Sequence, residues 1–124
     1  MKRFTLVLVT GVAMTTAAYA ASPIKVTTDN GVVIADSDSY RTLYTYAKDS
    51  GGVPNCYDEC AEKWPPHLAQ YWDSPRPPFS TIKRKDGKMQ WAKDEMPLYF
   101  STLDKKKGET NGDGVGGLWK AAKP

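Results

Sequence analysis

The chain has 124 residues, with 17 Lys and Arg against 14 Asp and Glu, two cysteines and one histidine. Removing Lys2 and Arg3 with an N-terminal leader takes 17 basic residues to 15 against 14 acids, so the net charge falls from +3 to near +1. That excludes a general nucleic-acid binder, whose affinity comes from neutralised phosphates, and one histidine with no serine–histidine pairing in view argues against a hydrolytic triad.

The leader reads "MKRFTLVLVTGVAMTTAAYA". A basic start, a short apolar run broken by Thr10, Thr15 and Thr16, and small Ala18 and Ala20 spell a secretory signal peptide cleaved after Ala20. No cysteine lies near the cleavage site, so no lipid anchor is expected. The reading is a soluble, exported protein, most simply a bacterial periplasmic one, with residues 21–124 forming one domain around one modest core. Four Trp and seven Tyr, of which only Tyr19 leaves with the leader, supply large buried area for so short a chain.

The mature chain opens with strands. "IKVTT" is β-branched, "DNG" is a hairpin turn signal, and "VVIADS" is a second strand. "RTLYTYAKD" alternates, with Tyr44 and Tyr46 on one strand face. Asn55 can cap a short helix over 56–63, with Asp58 and Glu59 in its first turn, and "WPP" ends it. Residues 65–79 carry five prolines and read as an extended surface loop pinned by Tyr71 and Trp72. "FSTIKRK", the turn Asp86-Gly87 and "KMQWAKD" form a strong hairpin signal. A tight turn at Asp94–Met96 leads to "PLYFST", a glycine-rich loop follows, and "LWKAA" is a last strand. The expected fold is mainly β, a small α+β arrangement of about seven antiparallel strands in hairpins and one short helix.

There is an internal echo. "TLYTYAKDSGGVPN" and "PLYFSTLDKKKGETNG" each place a Leu-Tyr strand before an Asp and a glycine-bearing loop, and each half then reaches a tryptophan, Trp64 or Trp119. Two half-units sharing a core would explain it; chance likeness between hairpins is the rival.

These residues resemble the bacterial secreted-repeat family of predicted lipoproteins, defined by a Yx(FWY)xxD motif and described as of unknown function. The motif stands here as "YTYAKD": Tyr44, Tyr46 and Asp49. "NCYDECAEKWPP", "KMQWAKDEMPLYF" and "GETNGDGVGGLW" extend the resemblance over about residues 30–123. The second copy, "YFSTLD" from Tyr99 to Asp104, has Ser101 at the aromatic position. Many relatives are lipid-anchored, and this chain lacks their cysteine. The resemblance implies the fold and brings no established activity. "GDGVGG" lacks the Lys-Ser/Thr that completes a phosphate loop.

The candidate sites compete with plainer structural roles. Cys56 and Cys60, four apart on a helix face and about 6 Å between Cα atoms, suit a disulfide. With His67 they would instead make a soft site for copper or zinc, and a redox-active dithiol is a third reading. Glu109, Asn111 and Asp113, with Asp104, resemble part of a calcium loop, although Lys120 stands where the bidentate Glu belongs. Plain glycine turns explain that loop equally. Tyr44, Tyr46, Asp49, Trp91 and Tyr99, with Trp72, could form an aromatic ligand face or could pack inward. No convergent acid, base and nucleophile set is apparent, so a non-enzymatic, monomeric binding protein of the envelope is expected, with an envelope protein or small ligand as partner and no required cofactor.

Overall fold

The computed structural model describes residues 22–124; the leader and its cleavage site lie outside the described residues. β1 (Pro23–Thr28) and β2 (Gly31–Asp36) form an antiparallel hairpin in register from Pro23 opposite Asp36 to Thr28 opposite Gly31. The Thr28 hydroxyl donates to the Gly31 carbonyl at 2.8 Å, and Gly31 takes φ +103°, which a side chain would resist. β3 (Tyr44–Tyr46), α1 (Glu59–Lys63) and β4 (Leu68–Ala69) complete the first half. β5 (Phe79–Lys83) and β6 (Met89–Lys93) form the second hairpin, followed by β7 (Met96–Pro97), a 3-10 turn at Val115–Gly117, and β8 (Trp119–Ala121).

Each half gives its last strand to the other. β8 pairs antiparallel with β3, and β4 pairs antiparallel with β6. The hydrogen bonds repeat with the halves exchanged. Ile34 N–H donates to Ala122 O, Leu43 N–H to Ile34 O and Ala122 N–H to Leu43 O; in the other half Trp91 N–H donates to His67 O, Leu98 N–H to Trp91 O and His67 N–H to Leu98 O, all at 2.8–2.9 Å. Equivalent residues stand 55 to 57 positions apart. Tyr44 and Tyr99 exchange both main-chain bonds with each other, at 2.8 and 2.9 Å, and so mark the pseudo-twofold axis.

The buried side chains follow the same symmetry. Trp64 and Trp119 stack at 3.9 Å, with Tyr44 edge-on to Trp64 and Tyr99 edge-on to Trp119. Such aromatic contacts add about 0.5–1.5 kcal/mol each beyond the area they bury. Val33, Cys56 and Ala121 join that cluster, while Ile34, Leu43, Ala69, Trp91, Leu98 and Ala122 form the second. Both clusters draw on both halves, so neither half has a core of its own.

Three local expectations are corrected. The helix begins at Glu59, not at 56, with Asp58 before it at φ 54° and no side-chain cap. Asn55 is used elsewhere: its N–H donates to Asp49 and its amide to the Lys48 carbonyl, while the Cys56 carbonyl accepts from Arg84 instead of serving a helical turn. The stretch 65–79 is not loop throughout, since β4 lies in it. Tyr71 and Trp72 do not pin the loop; they are 85% and 62% exposed.

Candidate functional site

Cys56 and Cys60 form the disulfide, with Cα atoms 5.2 Å apart. Cys56 is buried in the aromatic cluster and Cys60 packs against it. The bridge therefore ties the start of α1 to the stacked tryptophans. Both sulfurs are consumed, so the copper or zinc set is not assembled, and His67 is occupied elsewhere. Its Nε2 lies 3.2 Å from Asp36 Oδ1, with both side chains buried.

The motif residues meet across the axis. Tyr44, of the first copy, donates its hydroxyl to Asp104 Oδ2 of the second at 2.6 Å; Tyr99, of the second, donates to Asp49 Oδ2 of the first at 2.7 Å. Each aspartate holds its own following loop with its other oxygen: Asp49 Oδ1 accepts from Asn55 N–H at 2.7 Å and Asp104 Oδ1 from Asn111 N–H at 2.9 Å. Burial, reinforced by the bonds to Asp104 and Asp49, pushes both phenols well above their ordinary range. Burial also raises the Asp49 carboxyl, against the opposing pull of Tyr99, the Asn55 amide and Arg84. These groups secure the two loops and present nothing to solvent: Tyr44 and Tyr99 are fully buried.

The remaining candidate residues are engaged within the fold, some of them at its surface. Tyr46 is half-buried and stacks on Trp119 at 4.2 Å. Trp91 fills the second cluster. The glycine-rich loop satisfies its own carboxylates. Glu109 Oε1 accepts Lys105 and Lys106 N–H, its Oε2 accepts the Asn111 amide, and Asp113 Oδ1 accepts Ala121 N–H. The Lys105 amide, then the Asn111 side chain, hold the Glu109 carboxyl below its usual range. Among the described residues, no group of three or more His, Cys, Asp and Glu is arranged to hold a metal ion.

A model of the secreted-repeat family of unknown function matches the chain twice, over residues 25–67 and 80–123. The chain belongs to that family. The two matches coincide with the two halves of the fold, and the family's description makes this an exported protein. No curated protein and no solved structure matches the chain. Among the described residues, no helix is long and apolar enough to cross a membrane.

The clearest departure from the sequence reading lies on the surface, where two residues expected to pin a loop stand exposed. Tyr71 and Trp72, ring centroids 4.7 Å apart and edge to face, project from the connection between the halves. Prolines at 65, 66, 75, 77 and 78 mark this connection as a surface segment, and the sequence reading offers Trp72, but not Tyr71, for an aromatic face. A cleft of about 590 Å³ opens between β3, β8 and the β6–β7 turn, with Lys93, Lys120 and Lys123 on its walls.

Proposed function

We infer that this exported protein is a non-enzymatic binding module of the bacterial cell envelope, working in the periplasm after cleavage behind Ala20, and that Tyr71 and Trp72 are its contact element for an envelope protein. The observation that carries the reading is their exposure, 85% and 62%. Adjacent exposed aromatics are what protein interfaces use as anchors, since they bury much area with few rotatable bonds. The family-motif residues support it from the other side: Tyr44, Tyr99, Asp49 and Asp104 bind one another and are buried, so their work is scaffolding. The His67–Asp36 pair has the partners of an acid–base dyad but is shut away from solvent, so it offers a substrate no approach.

The test is photo-cross-linking in living cells. A benzophenone-bearing residue replaces Tyr71 in one strain and Val53, another exposed apolar residue, in a second. The reading expects a discrete adduct from position 71, absent from position 53 and lost on Trp72→Ala. An identical adduct pattern from both positions, or none from 71, refutes it.

A further inference from the structure

The duplicated frame allows the two halves to be compared position by position, and one comparison is unequal. In the first half, the space beside the hairpin turn is plugged. Phe100 packs edge-on to His67 at 5.2 Å, the Arg41 guanidinium lies 4.9 Å over Phe100, and His67 meets Asp36. The pseudo-twofold carries Phe100 onto Thr45, His67 onto Ala122, Arg41 onto Met96 and Asp36 onto Lys93. Every one of those four counterparts lines the open cleft of about 590 Å³. At two of the four positions the difference is large to small, Phe100 against Thr45 and His67 against Ala122, so the two rings that fill the first side have no counterpart on the other, which stays open. A folded chain closes voids where it can, and the frame demonstrates with its other half that this one can be closed.

The open side has also gained charge. Lys120 and Lys123 stand where the first half has Pro65 and Leu68. Lys93 is paired with Asp94 at 2.7 Å, but neither Lys120 nor Lys123 has an ion-pair partner among the described residues. Asp113, also on the wall, is engaged with the Ala121 amide. Three lysines against two aspartates leave the cleft net positive. Among the described residues no arginine lines it, so its positive charge comes from lysines, which bind phosphate as point charges. The volume falls within the range of small-molecule sites.

We propose that this cleft binds a phosphate-bearing ligand, with the phosphate between Lys120 and Lys123 and the ligand body against Met96 and Ala122. It is a different surface from the Tyr71–Trp72 contact, and the two stand or fall separately. Phosphate of this kind is carried by soluble organic phosphates and by lipid headgroups, and the experiment distinguishes them. The full mature protein, labelled for NMR, is titrated with sn-glycerol 3-phosphate, and separately sedimented with vesicles of phosphatidylglycerol or phosphatidylcholine. The expected result is saturable shifts confined to residues 45, 93–96, 113–114 and 120–123, or sedimentation with phosphatidylglycerol alone. Either binding should weaken by about tenfold or more in Lys120→Gln/Lys123→Gln. It should also be lost in Thr45→Phe, which installs the other half's plug, and persist in Lys105→Gln/Lys106→Gln/Lys107→Gln. Since Lys120 and Lys123 are exposed, their loss does not threaten the fold. The proposal is overturned if neither probe binds, if shifts centre on Lys105–Lys107, or if the cleft variants bind as the wild type does.

Discussion

Replacing Tyr99 by Phe tests the crossed motif pairs with the smallest perturbation available. It removes one oxygen and leaves the ring, with its edge-on contact to Trp119, in place. The lost bond is 2.7 Å long and ends on a buried carboxylate. Hydrogen bonds to charged groups contribute about 1.5–3 kcal/mol, and an abandoned buried acceptor retains its desolvation cost. Asp49 Oδ1 still holds Asn55, so the loop is not released outright. The expected loss is about 2–3 kcal/mol at neutral pH, or roughly 10–15 °C in Tm for a domain of this size. The pH dependence has a definite sign. The Tyr99 bond lowers the Asp49 pKa, which burial has already raised, so removing the hydroxyl raises it further. The variant's carboxyl can then take up a proton more readily, and the deficit shrinks as pH falls into the carboxylate range. Guanidinium unfolding followed by tryptophan fluorescence measures this as a lower midpoint at unchanged slope. In an Asp49→Asn background the same substitution should cost less, because the charge-assisted part is gone. A loss below about 0.5 kcal/mol, which is ordinary for a surface change, would show that the crossed pairs do not hold the halves together.

Other outcomes follow from the same structure. Gly112→Ala would place a Cβ 2.8 Å from Trp64 and 2.9 Å from Tyr44, both rigid rings, so calorimetry should show a loss of about 3 kcal/mol; an unchanged Tm would contradict the packing. Removing the Cys56–Cys60 bridge, which spans four residues, should cost about 2 kcal/mol as a Cys56→Ala/Cys60→Ala variant, and the untreated protein's intact mass should begin at Ala21 and resist thiol alkylation. Asp36 is pulled upward by burial but held lower overall by His67 and by the Ser39 amide and hydroxyl, so its folded pKa lies below the ordinary 3.8. Its contribution is present above that ordinary value and is lost as pH falls through the lower folded one. The stability gap to Asp36→Asn should therefore narrow in acid, and a gap that widens there would refute the pairing. Tyr71→Ala and Trp72→Ala should leave the melting temperature nearly unchanged, within about 0.5 kcal/mol in stability.

The hairpins were legible because their turns carry their own chemistry: Asp29-Asn30-Gly31 and Asp86-Gly87 enforce local pairing whatever surrounds them. The disulfide was legible from spacing and compartment. The exchange of last strands was not. β4 has two residues and β8 three, too few for any periodicity, and their partners lie far away in sequence. The echo of Tyr, Asp and Trp announced two related halves but not that the tyrosine of one copy bonds the aspartate of the other. A helix start at Asn55 was reasonable from local preference; the tertiary demand of Asp49 for its N–H overrode it. The cleft could have been suspected by aligning the halves, because Phe100 against Thr45 and His67 against Ala122 are large-to-small differences at matched positions.

The exchange makes a strong claim about cooperativity. If each half's core is completed by the other's last strand, neither half can open alone. Native-state hydrogen exchange measures this directly, through the amides of Leu43, Tyr44 and Ala122 on one side and Leu98, Tyr99 and His67 on the other, each of them a main-chain hydrogen-bond donor at a matched position. One common opening free energy is expected for both sets, equal to that of global unfolding. Two distinct values, with one set exchanging through a cheaper opening than the other, would mean that the halves are separate units and would contradict it.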